Sequence, residues 1–412
     1  MTQPMTSLVL VKAAPEEKTA ICLRHQPHWG SSFTPEGYLR REEGLQELSL
    51  ARDGGLTVWA LTPNLDADDN SSNKNKNKNY NYNYNYNTDD APAGRPILSS
   101  LETYRKRAIV RGTDGIVRDV TAHGVASVFT PPHYRRKGYS SKMLSLLGDE
   151  LARQEAQQPG SAGFSVLFSD VGKTFYAQHQ WMPFPSTHLS FSVHLPASPS
   201  TSSSSSSSSN TVDDRLTLIT DDNLPNIAQL DEQTLRQKLS RPPQPPHTIR
   251  VALLPDLPTY EWHFARAAFQ ARHIFGKTPS LHGALYTPPE RPHSRVWMLW
   301  SLSLSGGPDS PEKNILNVLH LALEDHDIPD QDLVAGLEAI MGIAQAQAQE
   351  WLCAKIEMWN PDERVKELMG RATRLSSELV ARETASIASL RWFGEGEVMD
   401  VEWVDNEKFE WC

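Results

Sequence analysis

Val125-Ala126-Ser127-Val128-Phe129-Thr130-Pro131-Pro132-His133-Tyr134-Arg135-Arg136-Lys137-Gly138-Tyr139-Ser140-Ser141-Lys142-Met143 is the stretch on which the reading of the fold turns. Its first six residues are strand-like. They run into a turn carrying Arg135, Arg136, Lys137 and Gly138, and a helix is predicted from Ser140 to Glu155. Met143, Leu144, Leu147 and Leu151 recur at helical spacing and give that helix one apolar face. A helix N-terminus leaves backbone N–H groups unpaired and carries positive partial charge, which suits a phosphate. Gly138 lets the backbone approach a ligand closely. Three consecutive basic side chains add charge for a polyphosphate. In isolation the same residues read equally well as a basic surface turn ending in a Ser cap.

The flanking sequence supplies the context. Upstream, Leu8 to Val11 reads as a short buried strand, Pro15 to His25 as a helix, and Pro35 to Leu48 as another with Thr34 as its N-cap. Leu56 to Leu61 and Ile97 to Thr103 read as strands, and Val117 to Val120 and Val125 to Thr130 as two strands meeting at His123-Gly124. Downstream come a strand at Phe164 to Phe168, a short helix from Val171 to His179 and a closing strand at Leu189 to Val193. This is a mixed α/β sheet around a central β-helix-β unit. The C-terminal half repeats part of the order, with strands at Trp297 to Leu302, Ile315 to Leu321 and Ala354 to Trp359 around a helix at Asp332 to Leu352. No Gly- or Arg-rich turn leads into that second helix.

Two low-complexity tracts interrupt the pattern. Residues from about Asp66 to Gly94 hold Asn-Lys and Asn-Tyr repeats and read as a disordered insertion. Ala197 to Asn210, with an unbroken run from Ser202 to Ser209, reads as a flexible linker. The expected organisation is a first domain over 1–196 with its insertion at about 66–94, a linker over 197–210 and a second domain over 211–412. The 412 residues carry 40 Lys and Arg against 50 Asp and Glu, a net charge of -10 that argues against non-specific nucleic-acid binding. Cys22, Cys353 and Cys412 are too few for a disulfide framework and suit a reducing, cytoplasmic setting. No apolar run reaches the ~20 residues of a membrane span, so no membrane partner is expected. His25, His28, His263 and His273 lack the convergent spacing of a metal site, and no metal is expected.

Arg135-x-x-Gly138-x-Ser140 resembles the acyl-CoA pyrophosphate motif of the GNAT acetyltransferases, with Ser at a position the family usually gives to Gly or Ala. Ser169-Asp170-Val171-Gly172-Lys173-Thr174-Phe175-Tyr176-Ala177-Gln178-His179-Gln180-Trp181 resembles the family's second motif, with Gln180 where Gly is usual. The chain is similar over nearly its whole length, the tracts apart, to the fungal lysine N6-acetyltransferases. The resemblance is carried by Ser99 to Arg107, Ser127-Val128-Phe129, Arg135 to Ser140, Leu167 to Gly172, Trp359-Asn360-Pro361 and Asn406 to Cys412. It implies a catalytic GNAT domain followed by a degenerate GNAT-like one. The implied co-substrate is acetyl-CoA and the implied acceptor the N6-amine of free L-lysine.

On that resemblance Val128, Phe129 and Thr130 supply backbone to the thioester, and Arg135, Arg136, Lys137, Gly138, Tyr139, Ser140 and Ser141 hold the pyrophosphate. Tyr176 matches the residue that protonates the leaving thiolate. By itself it reads as a core aromatic beside Phe175. A lysine amine, with pKa about 10.4, must lose a proton before it attacks. Glu102 is the candidate base, unless it pairs with Arg105 or Arg107; Asp119 and His123 are weaker candidates. Cys22 and Cys353 read as small buried hydrophobes. The aromatic C-terminal segment, with Trp403, Phe409 and Trp411, is expected to dock. A sharper expectation places Glu407 or the Cys412 carboxylate near the substrate amine. The motifs leave open a polyamine or a protein N-terminus as acceptor, and a non-catalytic CoA-binding scaffold.

Overall fold

The computed structural model describes residues 7–64, 95–161, 163–195, 214–243, 246–371 and 376–411. The tract at 66–94, the serine-rich segment at 197–210 and Cys412 lie outside the described residues. The first half contributes β1 (Leu8–Lys12), α1 (Pro15–Trp29), α2 (Pro35–Gln46), β2 (Leu56–Pro63), β3 (Ser99–Arg111) and β4 (Val117–Phe129). It continues with α3 (Tyr139–Gln157), β5 (Phe164–Ser169), α4 (Thr174–Ala177), β6 (Met182–Pro183) and β7 (Thr187–Ser192). The second half contributes β8 (Leu216–Ile219), α5 (Leu224–Ser240), β9 (Ile249–Leu253), α6 (Leu257–Phe275), β10 (Gly283–Tyr286), β11 (Val296–Leu304) and β12 (Asn314–Leu323). Then follow α7 (Asp330–Glu350), β13 (Lys355–Trp359), α8 (Glu363–Arg371), β14 (Ser377–Ala381), β15 (Ile387–Trp392) and β16 (Val401–Trp403).

The elements start where local chemistry dictates. Thr34 caps α2, its hydroxyl accepting from the Gly37 N–H at 3.1 Å. Asp256 caps α6, accepting from Thr259 N. α3 lays Met143, Leu144, Leu147 and Leu151, all buried, against Trp59, Leu101, Val125 and Leu167 of the sheet. Burial of such side chains contributes roughly 1.5–3 kcal/mol each. β4 is one strand where the sequence reads as two. Gly124 pairs with Tyr104 of β3 on one side and Val166 of β5 on the other, so two ladders hold a dipeptide that looks like a turn.

Two mixed sheets result. A nine-stranded sheet runs β1-β2-β3-β4-β5-β15-β6, with β9 against the far half of β3 and β16 against β9. A seven-stranded sheet runs β14-β7-β13-β12-β11-β10-β8. Each contains a β-helix-β crossover between neighbouring parallel strands, β4-α3-β5 in the first and β12-α7-β13 in the second, and the first has a further parallel pair, β9 with β16. The halves exchange strands. β7, from the first half, lies antiparallel between β13 and β14. β15, from the second half, lies antiparallel on β5. The sheet boundary therefore does not fall at the serine run: the strand read as closing the first half belongs to the second sheet. One buried cluster spans both halves, joining Phe164 and Val166 to Trp297, Leu319, Leu390 and Phe409.

Candidate active site

The parallel pairing of β4 and β5 ends at Val125 and Leu167, although both strands continue. They splay apart there for a reason visible in β4. Against β3 the register passes from Glu102–Ala126 to Ser100–Phe129, which leaves one extra residue on β4. Ser127 takes φ +52°, so the strand bulges and turns away from its neighbour. Beyond the bulge the chain is tied down by hydroxyls. Ser99 Oγ donates to the Phe129 carbonyl at 2.8 Å and lies 2.9 Å from Thr130 Oγ1, which is 2.6 Å from Ser140 Oγ.

A short turn at Pro132–Tyr134 leads to the basic segment, where Arg136 takes φ +62° and Gly138 φ +80°. Gly138 is the N-cap of α3, and no side chain caps the helix. A Cβ at Gly138 would point into open space. Arg135, Arg136, Lys137 and Gly138 are exposed. Arg135 Nε donates to the Thr130 carbonyl at 3.0 Å, which holds that side chain across the turn. Uncapped amides, a left-handed glycine and three exposed cations make a cradle for a polyphosphate. Ser140 fits the place of a Gly or Ala because its hydroxyl is turned back to Thr130. α7 opens differently: its first turn carries Asp330 and Asp332, which would repel an anion.

The mouth of the splay opens into a cavity of about 270 Å³. Glu102, Ser127, Val128 and Tyr176 line it together. Glu102 accepts a hydrogen bond from Ser127 Oγ at 2.7 Å. Burial pushes its carboxyl up to about 7, the nearby Glu42 adds to this, and the Ser127 bond opposes both. It does not pair with Arg105 or Arg107, which project from the other face of β3; Arg107 binds Glu232 at 2.7 Å. Tyr176 is buried on α4, and burial, reinforced by the charge of Asp170, raises its pKa. Its hydroxyl has no hydrogen-bond partner among the described residues.

The turn before α4 is held by the second half: Ser386 N donates to Asp170 Oδ1 at 2.9 Å and Gly172 N to the Thr384 carbonyl at 3.1 Å. Gln180 keeps the left-handed backbone of the glycine it replaces, at φ +70°, and Trp181 N still reaches the Tyr176 carbonyl at 3.1 Å.

The remaining wall comes from elements that carry no motif. α2 supplies Tyr38, Arg41 and Glu42, α6 supplies Trp262 and Arg266, and the C-terminal segment supplies Trp411. Trp262 packs edge-on against Tyr104 at 5.8 Å, and Trp411 lies 6.3 Å from Trp262. α6 was not legible in the sequence, and nothing in it marks Arg266.

Other expectations are redistributed. Asp119 pairs with Arg236, and His123 is buried, 3.4 Å from the Ser161 carbonyl, with burial lowering its pKa to about 4; neither lines the cavity. The C-terminal segment docks through buried Trp403 and Phe409. Glu407, however, is turned away from the cavity. It accepts from His320 Nδ1 and Leu321 N, both at 3.0 Å, in a separate cavity of about 260 Å³. Two carboxylates, Asp231 and Glu407, hold His320 well above the usual imidazole range. Cys22 and Cys353 are buried free thiols. Among the described residues no cluster of His, Cys, Asp or Glu fits a metal, and no helix is long and apolar enough to cross a membrane.

A splayed parallel pair, a bulge at its mouth and a glycine-capped helix beside it form a cleft with an open helix N-terminus at its mouth. The chain belongs to the family described as LYC1 GNAT-like C-terminal domain, whose model matches residues 193–412, just over half of it. It is similar to a lysine acetyltransferase of Yarrowia lipolytica (strain CLIB 122 / E 150), 25% identical over 229 residues; the match covers 49% of this chain and 56% of that relative. The chain thus spans a little over half the length of that relative. Among solved structures it is similar to a GCN5-related N-acetyltransferase from Kribbella flavida, 12% identical over 94% of this chain and 72% of that one, TM-score 0.47. It is also similar to N-myristoyltransferase of Saccharomyces cerevisiae with bound myristoyl-CoA, 9% identical over 95% and 79%, TM-score 0.47.

Proposed function

We propose that the chain transfers the acetyl group of acetyl-CoA to the N6-amine of free L-lysine. The observation that carries the reading is that Glu102 and Tyr176 line one cavity at the splay of β4 and β5, beside the uncapped N-terminus of α3. The amides and cations of residues 135–141 bind the CoA pyrophosphate. Backbone N–H of the Val128–Thr130 segment faces the thioester carbonyl and stabilises its oxyanion. Glu102, with its carboxyl near 7, takes the proton of the attacking amine directly or through water. The N–C bond forms, the C–S bond breaks, and Tyr176 gives its proton to the leaving thiolate and recovers it from solvent. Burial keeps that hydroxyl protonated until it is needed.

Lysine as acceptor is supported by the name of the Yarrowia lipolytica relative and by the carboxylates of Glu42, Glu102 and Asp170, which suit a cationic amine. The buried thiols of Cys22 and Cys353 fit a reducing, cytoplasmic compartment. In this reading the first half carries the chemistry and the second is a GNAT-like domain without a phosphate cradle. The experiment is to incubate purified protein with acetyl-CoA and a panel of amines: lysine, other amino acids, polyamines and peptides with free N-termini. Thiol release is followed and the product identified by mass spectrometry. Acetylation of lysine at N6 is expected. Preference for a polyamine or a peptide would replace the acceptor, and release with none of them would return the chain to a CoA-binding scaffold.

A further inference from the structure

The charges lining the cavity do not cancel one another evenly. Arg41 is tied to Glu42, its Nε 2.8 Å from Glu42 Oε1. Asp170 is engaged by Ser386 N, and Glu102 by Ser127 Oγ. Arg266 is different. It has no carboxylate or carbonyl partner among the described residues, and its guanidinium lies over the Trp411 ring, 4.9 Å from the centroid. Burial and the like charge of Arg41 both disfavour its cationic form, and the charge of Glu42 favours it. A guanidinium that lines the cavity with no protein acceptor for its donors is a site for a carboxylate, which it can bind in bidentate fashion.

It lines the same cavity as Glu102, as a second charged group for a short acceptor would. Arg266 stands one helical turn from Trp262 on α6, and both line the cavity, on a different element from Glu102. Glu102 lies on β3 and answers to Glu42 and Ser127. The cavity thus holds a carboxylate on β3 and a cation on α6, with the Arg41–Glu42 pair also in its wall. Its volume of about 270 Å³ lies just under the ~300–1,000 Å³ usual for small-molecule sites, which suits an extended molecule of a few carbons.

We propose that Arg266 reads a free carboxylate on the acceptor. It thereby selects an amino acid with its reacting amine at the other end over a polyamine or a protein N-terminus. The inference rests on the acetyl-transfer reading above and adds to it a residue and the chemical group it recognises. No bond changes at Arg266: it is a specificity residue, acting through binding alone.

The test uses the full chain with acetyl-CoA and three acceptors that share one amine: lysine, lysine amide and 1,5-diaminopentane. The parent is expected to favour lysine over the two acceptors that lack a carboxylate. Arg266→Gln is expected to raise KM for lysine about 10–100-fold, the effect of losing a hydrogen bond to a charged group, while kcat changes little. The same variant should leave KM unchanged for 1,5-diaminopentane and for acetyl-CoA, and Arg266→Lys should restore part of the lysine preference. If the parent uses all three acceptors equally, the inference fails and the acetyl-transfer reading stands. It fails also if Arg266→Gln weakens all three acceptors alike, or shifts KM for acetyl-CoA instead. A parent that acetylates no amine overturns both. Should Arg266→Gln not fold, Arg266→Met, which keeps the aliphatic stem, is read the same way, and an unchanged KM for lysine in it overturns the assignment.

Discussion

Glu102 owes its chemistry to where β3 places it. It is paired on both sides, to Val58 of β2 and Ala126 of β4. Here burial and the neighbouring Glu42 push it up to about 7, against a single hydrogen bond from Ser127. A base must be ionised to act, so kcat/KM is expected to fall as pH drops through about 7, and Glu102→Gln should lower the rate and flatten that limb. A pH–rate profile of parent and variant that share the same limb would remove Glu102 from proton transfer. The sign for stability follows from the same shift. The folded pKa lies above the unfolded one, so stability declines as pH rises from the unfolded value toward 7, and Glu102→Gln should raise the thermal midpoint at pH 8. Tyr176→Phe removes one hydroxyl that bonds to nothing else, so the fold should survive while kcat drops about 10²–10⁴-fold, the usual range for a general acid. A turnover number near the parent's would leave Tyr176 as a packing residue. That both line one cavity follows positions the sequence singled out, Tyr176 by its place in the second motif and Glu102 by its place on the strand before the bulge. Arg266, Trp262, Arg41 and Glu42 were not. They reach the cavity from helix faces, and a helical pattern reports which face is apolar, not what its polar face will meet.

At the scale of single elements the two crossover helices make a natural experiment. α3 and α7 occupy equivalent places between parallel strands, yet α3 starts at a left-handed glycine after three cations and α7 at Pro329 with Asp330 and Asp332. That difference was legible without coordinates, because helix termini declare their charge in sequence. Gly138→Asp tests it. A Cβ there meets nothing within 4 Å, so the cost to folding is the left-handed backbone alone, about 1–2 kcal/mol. Acetyl-CoA affinity, by calorimetry, is expected to vanish, since the new carboxylate faces the phosphates. An unchanged affinity would place the CoA elsewhere. The elements that misled did so for a physical reason. His123-Gly124 has the composition of a turn, and only pairing on both sides keeps β4 straight through it. β8, β9 and β10 are short strands scattered among helices of the second half, and partners supplied by distant sequence decide their existence.

Across the whole molecule the exchange of β7 and β15 makes each sheet depend on the other half. Without β15 the edge of β5 is bare, and without β13 and β14 the strand β7 has no partner. A bare edge is a template for aggregation. Fragments cut within the serine-rich segment, 1–196 and 211–412, are therefore expected to be insoluble or inactive when expressed apart. Expressed together they should give a soluble, active complex. A fragment of residues 1–196 that is soluble and acetylates its acceptor would contradict this. The tract boundaries were plain in the sequence. The exchange was not, because strand pairing between halves leaves no periodic trace in either.

The same exchange sets a delay. The bond from Ser386 N to Asp170 Oδ1 joins residues 216 apart, and β15 comes directly after it. At ribosomal rates of about 5–20 residues per second, β5 waits roughly 10–40 s between its own synthesis and that of the strand that closes it. Through that interval an unpaired row of N–H and C=O groups stands beside the half-built cleft. Slower translation is therefore expected to lengthen that exposure.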